Sequence, residues 1–199
     1  MSLTCEDGTG VIGADSYASL AQASAYWAYR TQSPNASAWS SSTDAVREGA
    51  LREATAYLDC TWSSLFIGSK KTSTQGLLWP RVYRTVLDRN AYETIEEMEA
   101  AQAETDRPLV GNDGLEMAAL PLQIVNAAIE LAARALTSPL AADKGEEGWL
   151  KRKRTRVEGA VDTETEYGSG GVLGGSYGFV DDMLAQVLIG KRNASWAWA

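Results

Sequence analysis

The segment from Leu120 to Leu136 leaves this chain few folds to choose from. Leu122, Val125, Ile129, Ala132 and Leu136 recur three and four apart, and Ile124, Ala128, Leu131 and Ala135 form a second apolar row beside them. Gln123, Asn126, Glu130 and Arg134 are the residues that stay polar. A helix apolar on nearly every side has to be surrounded, so it belongs at the centre of a bundle. Pro121 suits its first position, where the missing N–H costs nothing, and the helix should end before Pro139. The spacing therefore predicts a mainly α protein, a small helical bundle built around this helix.

Other helices are marked by their caps. Ser19 with Gln22 makes a capping-box pattern and predicts a helix over Leu20–Arg30, with Leu20, Ala23, Tyr26 and Trp27 on one face. The Ser/Pro/Asn stretch from Thr31 to Ser42 reads as a break. Ser42 or Thr43 then caps a helix whose buried side carries Val46, Ala50, Ala54, Tyr57 and Leu58. From Gln75 to Arg81 the sequence reads as an extended turn, because Pro80 pushes Trp79 out of helical geometry. Residues 88–118 form an acidic insertion with a short exposed helix from about Glu93 to Glu104, followed by a loop through Gly114. Val180, Met183, Leu184, Val187 and Leu188 predict a C-terminal helix that Gly190 stops.

The last quarter changes character, which divides the chain into a core over 1–150 and an extended arm, Gly-rich linker, C-terminal helix and Trp-containing tail over 151–199. Lys151, Arg152, Lys153, Arg154 and Arg156 form a basic cluster. Residues 155–167 then alternate with a period of two: Thr155, Val157, Val161, Thr163, Thr165 and Tyr167 on one side, Arg156, Glu158, Asp162, Glu164 and Glu166 on the other. That is a β-strand with one wet face, with Gly159 a place to bend it into a hairpin. A lone strand in a helical chain has unpaired edges. It either pairs within its own fold or augments a partner's sheet, and with few other strands in the sequence a partner or sister subunit is the expected neighbour. Arg156, Val157, Val161, Thr163, Thr165 and Tyr167 are the candidate interface residues of this arm. Trp196 and Trp198 are candidate anchors in the tail, since tryptophan is enriched at interface hot spots. The basic cluster itself has two readings: contact with phosphates or an acidic partner, or a solvated edge balancing the carboxylates downstream.

Several function classes are disfavoured. The chain has no histidine, which removes His-dependent triads and His-ligated metals. Cys5 and Cys60 lie far apart and read as two reduced thiols. Gly8-Thr-Gly10-Val-Ile-Gly13 matches the dinucleotide fingerprint as a string, yet no strand precedes it and no βαβ unit follows, so it reads as a flexible loop. Glu96, Glu97, Glu99 and Glu104 read as a solvated face rather than an acid/base pair. No catalytic residue, metal or cofactor is expected. The net charge of −8 opposes non-specific affinity for nucleic acid, although Trp62, Trp79, Lys70 and Lys71 are the residues a single-stranded-DNA site would draw on. No apolar run reaches the roughly 18 residues a membrane span needs. The start of the chain lacks the layout of a signal peptide, so synthesis inside the cell is expected and the sequons at Asn35 and Asn193 carry no weight.

Four segments carry a family resemblance: Glu6 to Gly10 continued by Ala14 to Tyr17 and the helix from Ala21 to Tyr29, Ala50 to Asp59, the Gln75…Trp79-Pro80-Arg81 turn motif, and Leu120 to Leu136. In this order and spacing the chain resembles the tailed-bacteriophage head-to-tail adaptor (connector) proteins of the family often labelled DnaT-like single-stranded-DNA-binding protein. The resemblance extends more loosely to the strand ending at Tyr167 and the helix Val180–Leu184. The acidic insertion and the Trp-rich end fall outside it. It implies a non-enzymatic, homo-oligomeric ring, commonly dodecameric, in the neck of the virion and assembled in the host cytoplasm. The ring would dock on the portal protein through the C-terminal arm and receive a stopper or tail-completion protein on its other face. Phage DNA would pass through its lumen without sequence-specific binding. The alternative is the literal label, a DnaT-like single-stranded-DNA-binding protein.

Overall fold

The structure is a computed structural model that describes residues 2–84, 87, 93–111, 114–140, 150–157, 161–167 and 177–189. The described residues are mainly helical and fall into two compact units, one spanning 1–140 and 178–199 and one spanning 141–177.

The first unit is built on α3 (Asp44–Trp62) and α5 (Leu122–Ala135), which make the most extensive helix pairing in the chain. Leu51, Ala54 and Leu58 of α3 and Ile124, Ala128, Ile129 and Leu131 of α5 are all buried. Each large aliphatic side chain so covered contributes about 1.5–3 kcal/mol. Helices α1 (Leu20–Ala28), α2 (Pro34–Ser41) and α6 (Gly178–Met183) also pack against α5, so the apolar segment is the hub its composition predicts. Two details of that prediction are corrected. Leu122 is 67% exposed, because periodicity fixes the angle of a face and not how far along the helix its neighbours reach. Glu130 is buried, at 5% exposure, and accepts from the Tyr26 hydroxyl at 2.8 Å while Arg134 pairs with it at 2.8 Å.

The capping box at Ser19 forms with both of its hydrogen bonds, and Ala23, Tyr26 and Trp27 of α1 are buried. The stretch Thr31–Ser42 is not simply a break: it holds α2, with Pro34 in its first turn and the Ser33 hydroxyl accepting from Asn35 N–H. Pro at the start of a helix behind a Ser cap is a start signal as much as a stop signal. Val46, in the first turn of α3, is exposed, and the buried stripe runs instead through Ala50, Leu51, Ala54, Thr55, Leu58 and Trp62. The acidic insertion holds α4 (Ile95–Thr105), capped by a Thr94–Glu97 box, with Gln102 buried, Met98 and Ala101 half-buried and its other residues exposed. Two short strands, β1 (Ser69–Lys70) and β2 (Arg81–Val82), pair antiparallel.

The chain's C-terminal segment belongs to this unit too. Helix α6 is shorter than predicted and continues as turns, with Val180, Leu184, Val187 and Leu188 all buried. The Trp62 indole N–H donates to Asp181 Oδ1 at 2.9 Å, and Ile67 N–H donates to Val187 C=O at 3.1 Å. Gly190, Trp196 and Trp198 lie outside the described residues.

The second unit is a hairpin of β3 (Leu150–Val157) and β4 (Val161–Tyr167). This corrects the expected partner for the predicted strand: it pairs with the basic cluster of its own chain, which is itself a strand. The register sets Arg152 opposite Glu166, Arg154 opposite Glu164 and Arg156 opposite Asp162, with Thr155 opposite Thr163 and Val157 opposite Val161. The bend expected at Gly159 lies outside the described residues.

Candidate functional site

The turn from Gln75 to Arg81 is where the sequence converges. Gln75 is buried and bridges the turn: its amide donates to Leu77 C=O at 2.9 Å and Pro80 C=O at 3.0 Å, and its oxygen accepts from Thr72 N–H at 2.9 Å. The Trp79–Pro80 bond is cis, and Trp79 is 0% exposed, its ring edge-on to Phe66 at 5.7 Å. Arg81 donates to Ile67 C=O at 2.8 Å and to Gly68 C=O at 2.5 Å. The four motif residues are thus brought together, and each acts on the backbone of the turn or on the core.

Behind the turn lies a buried polar relay. The Tyr17 hydroxyl donates to Asp59 Oδ1 at 2.6 Å and accepts from Trp79 N–H at 3.1 Å, while Asp59 Oδ2 accepts from Leu78 N–H at 3.0 Å. Burial, and then the Asp59 charge beside it, pushes the Tyr17 hydroxyl far above its ordinary range. Burial also raises Asp59, against the hydrogen bonds from Tyr17 and Leu78 that favour its charged form. Arg81 is lowered by burial, opposed by the charges of Tyr17 and Asp59. The Tyr17 hydroxyl and the N–H groups of Leu78 and Trp79 each have a fixed partner, so the relay joins α3 to the turn.

The glycine string near the start is a defined loop, not the flexible one expected. Glu6 is buried, and its carboxylate accepts from the N–H groups of Gly8, Gly10 and Val11 at 2.8–2.9 Å. Gly8, Gly10 and Gly13 sit at φ of 96°, 92° and 74°, where a side chain would be strained. The signal for this order was the acid two residues before the first glycine. The loop is joined to α3 by Asp15, paired with Arg52 at 2.5 Å.

A cationic rim borders the turn. Lys71, Arg84 and Arg107 are exposed and Lys70 is half-buried. Lys71 and Arg81 also line a cavity of about 310 Å³, walled by Val82, Leu109 and Met117 and bearing one carboxylate, Asp106. Tyr83, 44% exposed, is the aromatic beside these cations. Trp62 and Trp79, the stacking platforms a single-stranded nucleic acid would use, are both buried in the core. The sequence carried a signal for both: Trp62 stands four residues beyond Leu58 on the apolar stripe of α3, and Trp79 follows Leu77 and Leu78.

The other sequence-predicted residues fall in the hairpin. Arg156, Val157, Val161, Thr163, Thr165 and Tyr167 occupy register positions of β3 and β4, and the hairpin sets three arginines opposite three carboxylates. No described helix is long and apolar enough to cross a membrane.

A family profile described as "Putative DnaT-like ssDNA binding protein" matches residues 1–106. Neither the curated proteins nor the solved structures contain a significant match to the chain.

Proposed function

The chain belongs to the DnaT-like ssDNA-binding-protein family, and from that premise we propose that it serves as a non-enzymatic head-to-tail adaptor in the neck of a tailed phage. It would form a ring that docks on the portal, links it to the stopper or tail, and passes the genome through its lumen. The observation that carries this reading is the fate of the nucleic-acid candidates. Trp62 and Trp79 are core residues, Arg81 is bonded to backbone carbonyls, and the basic strand of the hairpin faces an acidic one in register. A single-stranded-DNA groove needs aromatic faces and unmatched cations on its surface. A net charge of −8 suits a channel wall past which DNA slides. The resemblance over residues 6–190 supports the same assignment, with the hairpin as the arm that engages the portal or a neighbouring subunit.

A second reading takes the family's description literally. It draws on Lys71 and Arg107 with Tyr83 exposed beside them, while Arg84 on the same rim donates to Lys70 C=O and Lys71 C=O.

One pair of measurements separates the two. Purified chain is mixed with portal-bearing capsids and examined by co-sedimentation and negative-stain microscopy. In parallel, a labelled single-stranded oligonucleotide is titrated by anisotropy at two salt concentrations. The adaptor reading expects ring density at the portal vertex and weak oligonucleotide binding. Tight, steeply salt-dependent binding with no particle attachment overturns it in favour of the second reading.

A further inference from the structure

The hairpin of β3 and β4 is a compact unit of its own, and among the described residues no third strand pairs with either of its edges. A two-stranded hairpin is marginally stable in water by itself, and a sheet needs three or more strands before it holds independently. Strands of eight and seven residues also leave two long rows of backbone N–H and C=O groups along those edges. An edge of that length is either covered or serves as a template for a further strand. The edge alone does not name its occupant.

The distribution of charge does. Strand β3 (LKRKRTRV) contains five cations and no carboxylate, and strand β4 (VDTETEY) contains three carboxylates and no cation. Within one copy the register sets Arg152, Arg154 and Arg156 against Glu166, Glu164 and Asp162. One edge strand of the ribbon is therefore basic along its length and the other acidic. Like charges placed directly opposite across a strand pair are destabilising, and opposite ones are favourable. Two copies joined edge to edge can meet in three ways. Joining β3 to β3 sets arginine against arginine, and joining β4 to β4 sets carboxylate against carboxylate; both are two-fold contacts. Joining β4 of one copy to β3 of the next gives each acidic strand a basic strand on both sides. That contact is head-to-tail, so it repeats from copy to copy and closes into a ring when the rotation allows.

We propose that the free edge of β4 in one copy pairs with the free edge of β3 in the next, so that the hairpins of a ring join into one closed antiparallel sheet. This rests on the ring reading above and names the strand edges that join neighbouring copies. Rotation about a ring axis leaves every β3 parallel to every other β3, and β3 runs antiparallel to β4 in each copy. The acidic strand therefore meets the next basic strand antiparallel, in the same ladder geometry as inside the hairpin. Closure removes both free edges, and each hairpin gains the further strands it lacks. The same arrangement leaves little for nucleic acid on β3, whose cations are then flanked by carboxylates on both sides.

The test reverses charge one strand at a time. An acid-hairpin variant carries Arg152→Glu, Arg154→Glu and Arg156→Glu, and a basic-hairpin variant carries Asp162→Lys, Glu164→Lys and Glu166→Lys. A swapped variant carries all of these changes. Thermal melts followed by circular dichroism first establish that the helical unit folds in each. Self-association is then measured by sedimentation velocity, alone and with portal-bearing particles. The expected result is a loss of about tenfold or more in assembled material for the acid-hairpin and basic-hairpin variants alone. The swapped variant should assemble as wild type does, and mixing the two single-strand variants in equal amounts should restore assembly. Recovery on mixing is the decisive readout, because charges acting only inside one hairpin cannot be repaired by another copy. If wild type assembles and the mixture does not recover, or if either single-strand variant assembles as wild type does, this inference falls and the adaptor reading stands. If wild type assembles under neither condition, both fall. If the acid-hairpin variant assembles normally but loses binding to a labelled single-stranded oligonucleotide, the occupant of the basic strand is nucleic acid and the proposal is overturned.

Discussion

Replacing Tyr17 by Phe removes one oxygen atom and breaks the relay behind the turn at two points. The hydroxyl donates to Asp59 at 2.6 Å and accepts from Trp79 N–H at 3.1 Å. Tyr17 is fully buried and Asp59 half-buried, so water does not readily replace the lost groups. A hydrogen bond to a charged group contributes about 1.5–3 kcal/mol, and a buried N–H left unpaired costs about 1–3 kcal/mol. The two losses together predict a destabilisation of about 3–5 kcal/mol, with the ring volume unchanged. Urea unfolding of both proteins measures it as a shift in midpoint at constant slope. The pH dependence gives a second check. Burial already raises Asp59 in the folded state, so the native protein binds that proton more tightly than the unfolded chain. Stability is then lost as pH rises from the ordinary carboxylate value through the folded one. Removing the Tyr17 donor raises Asp59 further and enlarges that loss. The gap between the proteins should be smallest in acid, where Asp59 is protonated in both, and reach its full size above both folded values. A total effect below about 1 kcal/mol, or a gap that does not change with pH, refutes the assignment of this relay as the tie between α3 and the turn.

Gly76→Ala would place a methyl group 2.7 Å from Ala14 O and 2.9 Å from Ala14 N. Both are backbone atoms that cannot swing aside, so a loss of about 1–3 kcal/mol is expected in the same urea experiment. Val161→Pro strikes the hairpin at the register pair Val157–Val161, where proline distorts the ladder. It should weaken attachment to portal-bearing particles while circular dichroism shows the helical unit melting as in wild type; unchanged attachment would remove the hairpin from the portal contact.

The elements legible in the sequence were those whose signal is local. The Ser19 box, the acidic helix placed from about Glu93 to Glu104 and the near-continuous apolarity of α5 each rest on a few neighbouring residues. What was missed depends on distant partners. Glu130 looks like a polar spoke of α5 until Tyr26, more than a hundred positions earlier, brings a hydroxyl to it. The basic cluster has two readings in the sequence, a phosphate or acidic-partner contact and a solvated edge balancing carboxylates downstream, and its place in a strand opposite those carboxylates is seen only in the fold. Trp62 and Trp79 could be offered as stacking platforms from sequence, and their burial is a property of the assembled core. Two segments were misread locally: at Thr31–Ser42 one proline was taken as an end when Ser33 before it made it a beginning, and at Gly8–Gly13 the acid that orders the loop, Glu6, stands two residues ahead of it.

The turn motif bears on where function lies. Gln75, Trp79 and Arg81 belong to one of the four segments that carry the resemblance, yet the side-chain amide of Gln75, the ring of Trp79 and the guanidinium of Arg81 all face the fold's own interior or backbone. Arg81, held by two carbonyls and lowered by burial, is poorly placed to grip a phosphate. What the motif does is fix the backbone between β1 and β2 and carry the exposed Lys71, Arg84 and Tyr83 at its edge. A family sharing this motif therefore shares a scaffold, and the motif does not by itself specify a ligand. The surfaces that bear on the choice between nucleic acid and assembly lie elsewhere: the cationic edge for the one, the hairpin for the other. Neutralising the exposed Lys71 and Arg107 should weaken oligonucleotide binding only if the first is right, and Val161→Pro should weaken particle attachment only if the second is.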